Sequence, residues 1–239
     1  MFPSHRPCVL VLGLLLTALV IPACPAQAGT ASYGVAGFGT LNSYTMSDVN
    51  DAIDIANWGL AFAGLESISG IDTGVGFGGG FRAVLNDRFW LALDYERLTG
   101  GTDYSVLGNK LELDVPANAV LASAAYLLPG AGRVRLGFGA GLGYYSSAAS
   151  ISVDAPDISL SGAFDITGSG LGFHGFGMMD AALSQAAHFE LLVGGRFAEV
   201  TDPVLEGPGI PDDLLQGLAL DWSGVMIRGG LAFHFGGTP

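Results

Sequence analysis

Positive charge, cysteine and long apolar runs are what this sequence has least of. Nine Lys and Arg residues stand against 22 Asp and Glu, a formal net charge of −13. That balance argues against nucleic acid as a partner. The two cysteines, Cys8 and Cys24, both lie near the N-terminus. The run from Val9 to Ala23 is the one long apolar stretch, and it is too short to make a convincing spanning helix. Charged residues amount to only 13% of the chain, yet a disordered acidic tail is excluded, because aromatic and branched residues are plentiful.

The N-terminus itself has a processing pattern. A basic start at Arg6 precedes the apolar run, and Ala26-Gln27-Ala28 forms a small-x-small cleavage site. Residues 1–28 therefore read as a secretory signal peptide, leaving one domain over residues 29–239. On this reading the exported chain keeps no cysteine and enters an oxidising compartment without disulfides. A second reading stays open: Ile21-Pro22-Ala23-Cys24 loosely resembles a lipobox that would lipidate Cys24, with proline where such boxes prefer a small or branched residue.

Glycine and apolar residues are abundant, with 38 glycines and 50% hydrophobic residues. High hydrophobicity without a second helix-length apolar run points to membrane strands, whose apolar residues are diluted by alternation. At period two the chain yields eight strand candidates: 31–44, 71–85, 88–98, 118–128, 133–148, 170–183, 188–200 and 220–235. Asn86-Asp87, Pro129 to Gly132, and Ser184 to Ala187 are short turns. The other connections are long, over 45–70, 99–117, 149–169 and 201–219. Short turns at one end and long loops at the other predict an all-β fold, a transmembrane antiparallel up-and-down β-barrel with both ends on the periplasmic side. That placement requires an even strand number, and eight satisfies it. Ten strands stay open if residues 151–166 form a membrane hairpin, although three aspartates there favour an extension beyond the membrane.

Alternation also assigns faces. Phe89, Leu91, Leu93 and Tyr95 share one face of the third candidate, opposite Asp94 and Glu96. Val134, Leu136, Phe138, Ala140, Leu142 and Tyr144 lie opposite Arg135 and four glycines in the fifth. Phe189, Leu191, Val193 and Phe197 oppose Glu190 and Arg196 in the seventh; Val225, Ile227, Leu231, Phe233 and Phe235 oppose Arg228 and His234 in the eighth. A polar face so rich in glycine suits the lumen of a narrow barrel, where side chains share limited space. There Arg82, Arg135, Arg196 and Arg228 can pair with Asp94, Glu96, Asp180 and Glu190; unpaired, each would be costly in a poorly hydrated interior. Tyr33, Phe89, Tyr126, Tyr144, Tyr145, Phe189, Trp222 and Phe235 fall near strand ends and are expected to form interfacial girdles.

The last strand carries a motif. Arg228-Gly229-Gly230-Leu231-Ala232-Phe233-His234-Phe235 resembles the C-terminal β-signal of bacterial outer-membrane proteins: polar, any, glycine, two of any type, aromatic or apolar, any, aromatic. Arg228, Gly230, Phe233 and Phe235 fill its defined positions, and Gly236 to Pro239 follow it. The overall plan resembles the small eight-stranded barrels of the OmpA, OmpX and OmpW type. The resemblance implies outer-membrane localisation, contact with outer-membrane lipid and lipopolysaccharide, and recognition by the barrel-assembly machinery.

No strong catalytic arrangement accompanies this plan, so the expectation is a chain with no catalytic, cofactor or metal residues. His174 and His234 fall on the inward face, and His188 follows a short turn. Lipid-modifying barrels, by resemblance, set His beside Ser on the outer wall, and that pattern is missing. The glycine clusters do not open a helix and precede no lysine, so nucleotide binding is rejected. Inward glycines instead make room for bulky groups, let the strands coil tightly, or leave space for a ligand. In the first loop, Ser47 can cap a helix whose apolar side holds Val49, Ile53, Ala56 and Leu60. The acidic excess lies in the loops and reads as a solvated, mutually repelling surface. Divalent-ion bridging to lipopolysaccharide is the alternative, with no segment matching an EF-hand. The expected role is structural or interactive at the cell surface, with the lumen filled by side chains. The alternative is a narrow channel or carrier for small hydrophobic compounds, suggested by the OmpW type.

Overall fold

The computed structural model describes residues 31–62, 64–106, 109–130, 132–155, 160–201, 203–206 and 219–235. Residues 1–28, expected from the sequence to form a signal peptide, with Cys24 among them, and the trailing 236–239 lie outside the described residues. Eight strands close a barrel: β1 (Ala31–Ser43), β2 (Thr73–Leu85), β3 (Phe89–Leu98), β6 (Ala117–Leu127), β7 (Val134–Ala155), β8 (Leu160–Ala182), β9 (Ala187–Thr201) and β12 (Gly224–Phe235). Each pairs antiparallel with the next in that order. Closure runs from Tyr33↔Phe235 to Asn42↔Met226, so the final strand satisfies the edge of the first.

The turns at one end are short for local reasons. Asn86 and Asp87 adopt φ of 54° and 55°, the left-handed pair that a tight reversal between right-twisted strands favours, and Arg88 N donates to Leu85 O at 3.1 Å. Between β8 and β9, the Ser184 hydroxyl accepts from Ala186 N and Ala187 N at 3.3 and 3.0 Å.

The long connections are largely structured. β4 (Gly101–Val106) and β5 (Asn109–Asp114) form a hairpin, and β5 pairs with the distal part of β7. Segment 151–166 prolongs β7 and β8 into one ladder rather than adding barrel strands. β10 (Val204–Glu206) pairs with β8, and β11 (Ala219–Asp221) pairs with β9. The helix α1 (Ser47–Phe62) starts with Met46, not Ser47, in the capping position, since Asn50 N donates to Met46 O. Packing accounts for that one-residue difference: Met46 is fully buried in the mouth cluster, which fixes where the chain can turn into the helix.

The outer wall is apolar. Along β12, Val225, Ile227, Leu231, Phe233 and Phe235 are exposed while Met226, Arg228 and Ala232 are buried. Val225 to Phe235 covers about 33 Å of strand at about 3.3 Å per residue. At a tilt near 40° this gives a belt about 25 Å tall, the height of a bilayer's apolar band. Two of the expected girdle aromatics do not reach it. Tyr145 and Trp222 are fully buried: Tyr145 shares the inward phase of Arg135 on β7, and Trp222 packs edge-on against Tyr44 at 5.0 Å.

Candidate functional site

Most inward side chains fall into three tiers. Toward the short turns lies an apolar layer that includes Trp90, Leu127, Phe176, Met178 and Leu192. At the opposite mouth a larger cluster includes Tyr44, Met46, Ile53, Ile71, Leu98 and Trp222. Charged side chains lie between them.

That middle tier joins five strands. Asp94 accepts from Arg82 through Oδ1 and from Arg228 Nη1 through Oδ2 at 2.8 Å. Glu96 Oε2 accepts from Arg196 Nη2 at 2.7 Å and Arg228 Nη2 at 3.0 Å, while its Oε1 accepts from the Thr40 hydroxyl at 2.7 Å. Glu190 accepts from Arg82 Nε at 2.9 Å and from the Trp90 indole at 2.8 Å. Every carboxylate oxygen of the three acids thus has a donor, which is the condition for burying carboxylates at tolerable cost. The three guanidinium groups also lie over aromatic rings: Arg228 over Phe38 at 4.0 Å, Arg82 over Trp90 at 5.0 Å and Arg196 over Tyr145 at 5.7 Å. Three cations meet three anions, so this tier is electrically balanced.

The structure brings Arg82, Asp94, Glu96, Glu190, Arg196 and Arg228 into one network, and holds Arg135 and Asp180 apart from it. Arg135 Nε donates to Asp180 Oδ2 at 2.9 Å, and the other carboxylate oxygen contacts His188 Nδ1 at 2.8 Å. Beside this group the His188 and His234 rings lie 4.7 Å apart, and His234 Nδ1 is 3.1 Å from the Ser32 hydroxyl. Sequence reasoning missed Thr40, Phe38 and Trp90. Trp90 shares its strand phase with Asp94 and Glu96, which is enough to direct it inward, but its bond to Glu190 depends on a register no single strand contains.

Inward glycines are occupied by neighbours. A Cβ on Gly141 would lie 2.6 Å from the His174 ring, and one on Gly78 or Gly230 would meet Phe38 within 2.8 Å. The Ser123 hydroxyl and His174 Nε2 are 2.9 Å apart, but among the described residues no hydrogen-bond partner reaches His174 Nδ1, so the pair is not joined there to the acid a triad requires. Among the described residues no group of three or more His, Cys, Asp or Glu side chains gathers to hold a metal.

At the mouth, α1 and the chain returning from it pack over the apolar cluster. Asp48 Oδ2 accepts from Ala219 N at 2.7 Å. Asn57 exchanges two bonds with the Ile68 backbone, at 2.6 and 2.9 Å, and Asn50 Oδ1 accepts from Ile71 N at 2.8 Å. Tyr44 donates to Thr99 O at 3.2 Å, and burial holds its hydroxyl well above the usual pKa, so the donor stays protonated. Of the β-signal positions, Arg228 belongs to the charged tier, Gly230 accommodates Phe38, and Phe233 and Phe235 lie on the outer belt.

No protein-family model matches the chain, and no curated protein does. Solved structures do. The outer membrane protein OprG from Pseudomonas aeruginosa aligns over 88% of this chain and 98% of its own, with a TM-score of 0.51 and 14% identity. Neisserial surface protein A aligns over 86% and 99%, with a TM-score of 0.43 and 17% identity. A major outer membrane protein from Thermus thermophilus aligns over 85% and 99%, with a TM-score of 0.45 and 14% identity. At such identity the likeness to OprG is one of fold: a small, closed, eight-stranded barrel of the outer-membrane type.

Proposed function

We propose that this chain is an integral protein of a bacterial outer membrane that acts structurally or by surface interaction, with a lumen sealed by its own side chains. The observation that carries the reading is the pairing of a continuous apolar outer belt with a charge-balanced interior. The exposed aromatic and branched side chains of the belt suit lipid, since in water they would form an apolar patch far larger than a soluble monomer tolerates. The fold shared with OprG supports the same placement. Export through residues 1–28, and recognition of Arg228, Gly230, Phe233 and Phe235 by the assembly machinery, complete the proposal.

Filled tiers argue against the channel or carrier alternative. An eight-stranded barrel is about wide enough to be occupied by its own side chains, and the inward Gly78, Gly139 and Gly141 are covered by the rings of Phe38, Phe176 and His174 from neighbouring strands. The lipid-modifying reading finds no support in Ser123 and His174, which are buried in the lumen away from the lipid face. Two measurements test the proposal. Unboiled protein should migrate differently from boiled protein in detergent gels, and reconstituted vesicles should leak small solutes no faster than protein-free ones. Identical migration with extraction by salt alone refutes the barrel in the membrane; solute flux above the blank refutes the sealed lumen.

A further inference from the structure

The lid helix α1 has a second face that the barrel does not use. Ile53 is buried over the mouth, with Val49 and Leu60 packed against the same cluster. On the opposite side Ile55, Trp58 and Phe62 are 74%, 70% and 77% exposed. These positions follow at i, i+3 and i+7, so they share one stripe of the helix. The Trp58 and Phe62 rings meet edge to face at 4.7 Å, forming one aromatic platform. Exposed carboxylates surround it, with Asp51 and Asp54 on the helix and Glu66 just beyond. Residues 44–72 contain no Lys, Arg or His at all.

We propose that this outer face of α1 is a docking surface for a cationic amphipathic peptide or protein segment. Charge chooses among the possible occupants. Helices that lie on a bilayer surface carry Lys and Arg around their apolar stripe to meet anionic lipid, whereas this one carries only acids and is repelled by such a surface. A second copy would set the same carboxylates against one another. A segment presenting apolar side chains flanked by Lys and Arg satisfies both features: aromatic anchors fill the centre of the contact, and ion pairs with a cation over the Trp58 ring form its rim. The inference rests on the outer-membrane barrel proposed above, whose long connections, α1 among them, would face outward, and the gel-migration test addresses that barrel separately.

The test uses the full mature chain in zwitterionic phosphatidylcholine nanodiscs, with empty discs as the blank. The probe is an 18-residue amphipathic peptide of Leu and Lys, labelled for anisotropy. It should bind saturably, and more weakly as salt rises. W58S/F62S should lower the affinity at least tenfold, and D51N/D54N should flatten the salt dependence. Both variants alter exposed side chains and should keep the wild-type gel shift. Three results would overturn the proposal: unchanged affinity in W58S/F62S, equally tight binding of the matching Leu/Glu peptide, or no binding. Quenching of Trp58 by brominated lipid chains would assign the face to the bilayer, and self-association lost in W58S/F62S would assign it to a second copy. Either outcome also overturns it.

Discussion

Glu96→Gln should be among the most damaging conservative changes in this protein. The substitution keeps the shape of the side chain and removes its charge. Glu96 receives Arg196, Arg228 and Thr40, and it is fully buried. Arg228 would keep Asp94, but among the described residues Glu96 is the only carboxylate that pairs with Arg196. Three guanidinium groups would then face two carboxylates, with an uncompensated cation at Arg196, where Nε and Nη1 already lack partners among the described residues. Leaving one member of a buried pair alone costs about 3–5 kcal/mol. Adding Arg196→Met restores neutrality and replaces the guanidinium with an apolar chain beside Met226, whose sulfur Arg196 touches at 3.8 Å. The double variant should therefore be less destabilised than the sum of the two singles by about 1–3 kcal/mol. Urea unfolding in phosphatidylcholine vesicles, followed through the buried Trp90 and Trp222, measures both quantities. A loss below about 1 kcal/mol, the scale of an exposed pair, or strict additivity of the two changes would refute the reasoning.

Gly141→Val should displace the His174 ring from Ser123 and cost about 1–3 kcal/mol, whereas Gly37→Val, with nothing within 4 Å of its Cβ position, should stay within about 0.5 kcal/mol. The same urea titration checks this, and equal costs would contradict the packing described for the lumen. Phe235→Asp should leave the chain in the periplasm without its gel-shifted form. Tyr33→Asp, at the paired position on β1, should insert better, because it meets lipid at the same height without belonging to the terminal motif. Equal losses in fractionated cells would reduce Phe235 to an ordinary lipid-facing residue.

Most of the barrel is legible from period two because one face of every barrel strand is apolar and exposed while the other turns into the lumen. Asp94 and Glu96 separate from Phe89, Leu91, Leu93 and Tyr95 by parity alone. Parity says nothing of register, and register decides partners: Arg82 meets Glu190 from β9 because strand stagger brings β2 and β9 level. It also outranks composition. Tyr144 and Tyr145 look alike as girdle aromatics, yet only Tyr144 has the outward phase. The mouth is harder to read. β10 and β11 are three residues each, too short to show a period, and the 101–114 hairpin sits between Gly100-Gly101 and Pro116, which read as loop punctuation. The helix was legible because Val49, Ile53 and Leu60 repeat at its pitch; the exposure of Ile55, Trp58 and Phe62 depends on what the helix covers.

β7 and β8 pair without interruption from Val134↔Ala181 to Ala155↔Leu160. The apolar belt on β7 ends near Tyr144, so the ladder continues for about 36 Å of strand beyond it, at about 3.3 Å per residue. A hydrogen-bonded ribbon anchored in a closed barrel behaves as a stiff blade, unlike a tethered loop. The closest approach of another surface to the lid is then set by the length of two strands, and shortening the blade by paired deletions should bring the two surfaces nearer in regular steps.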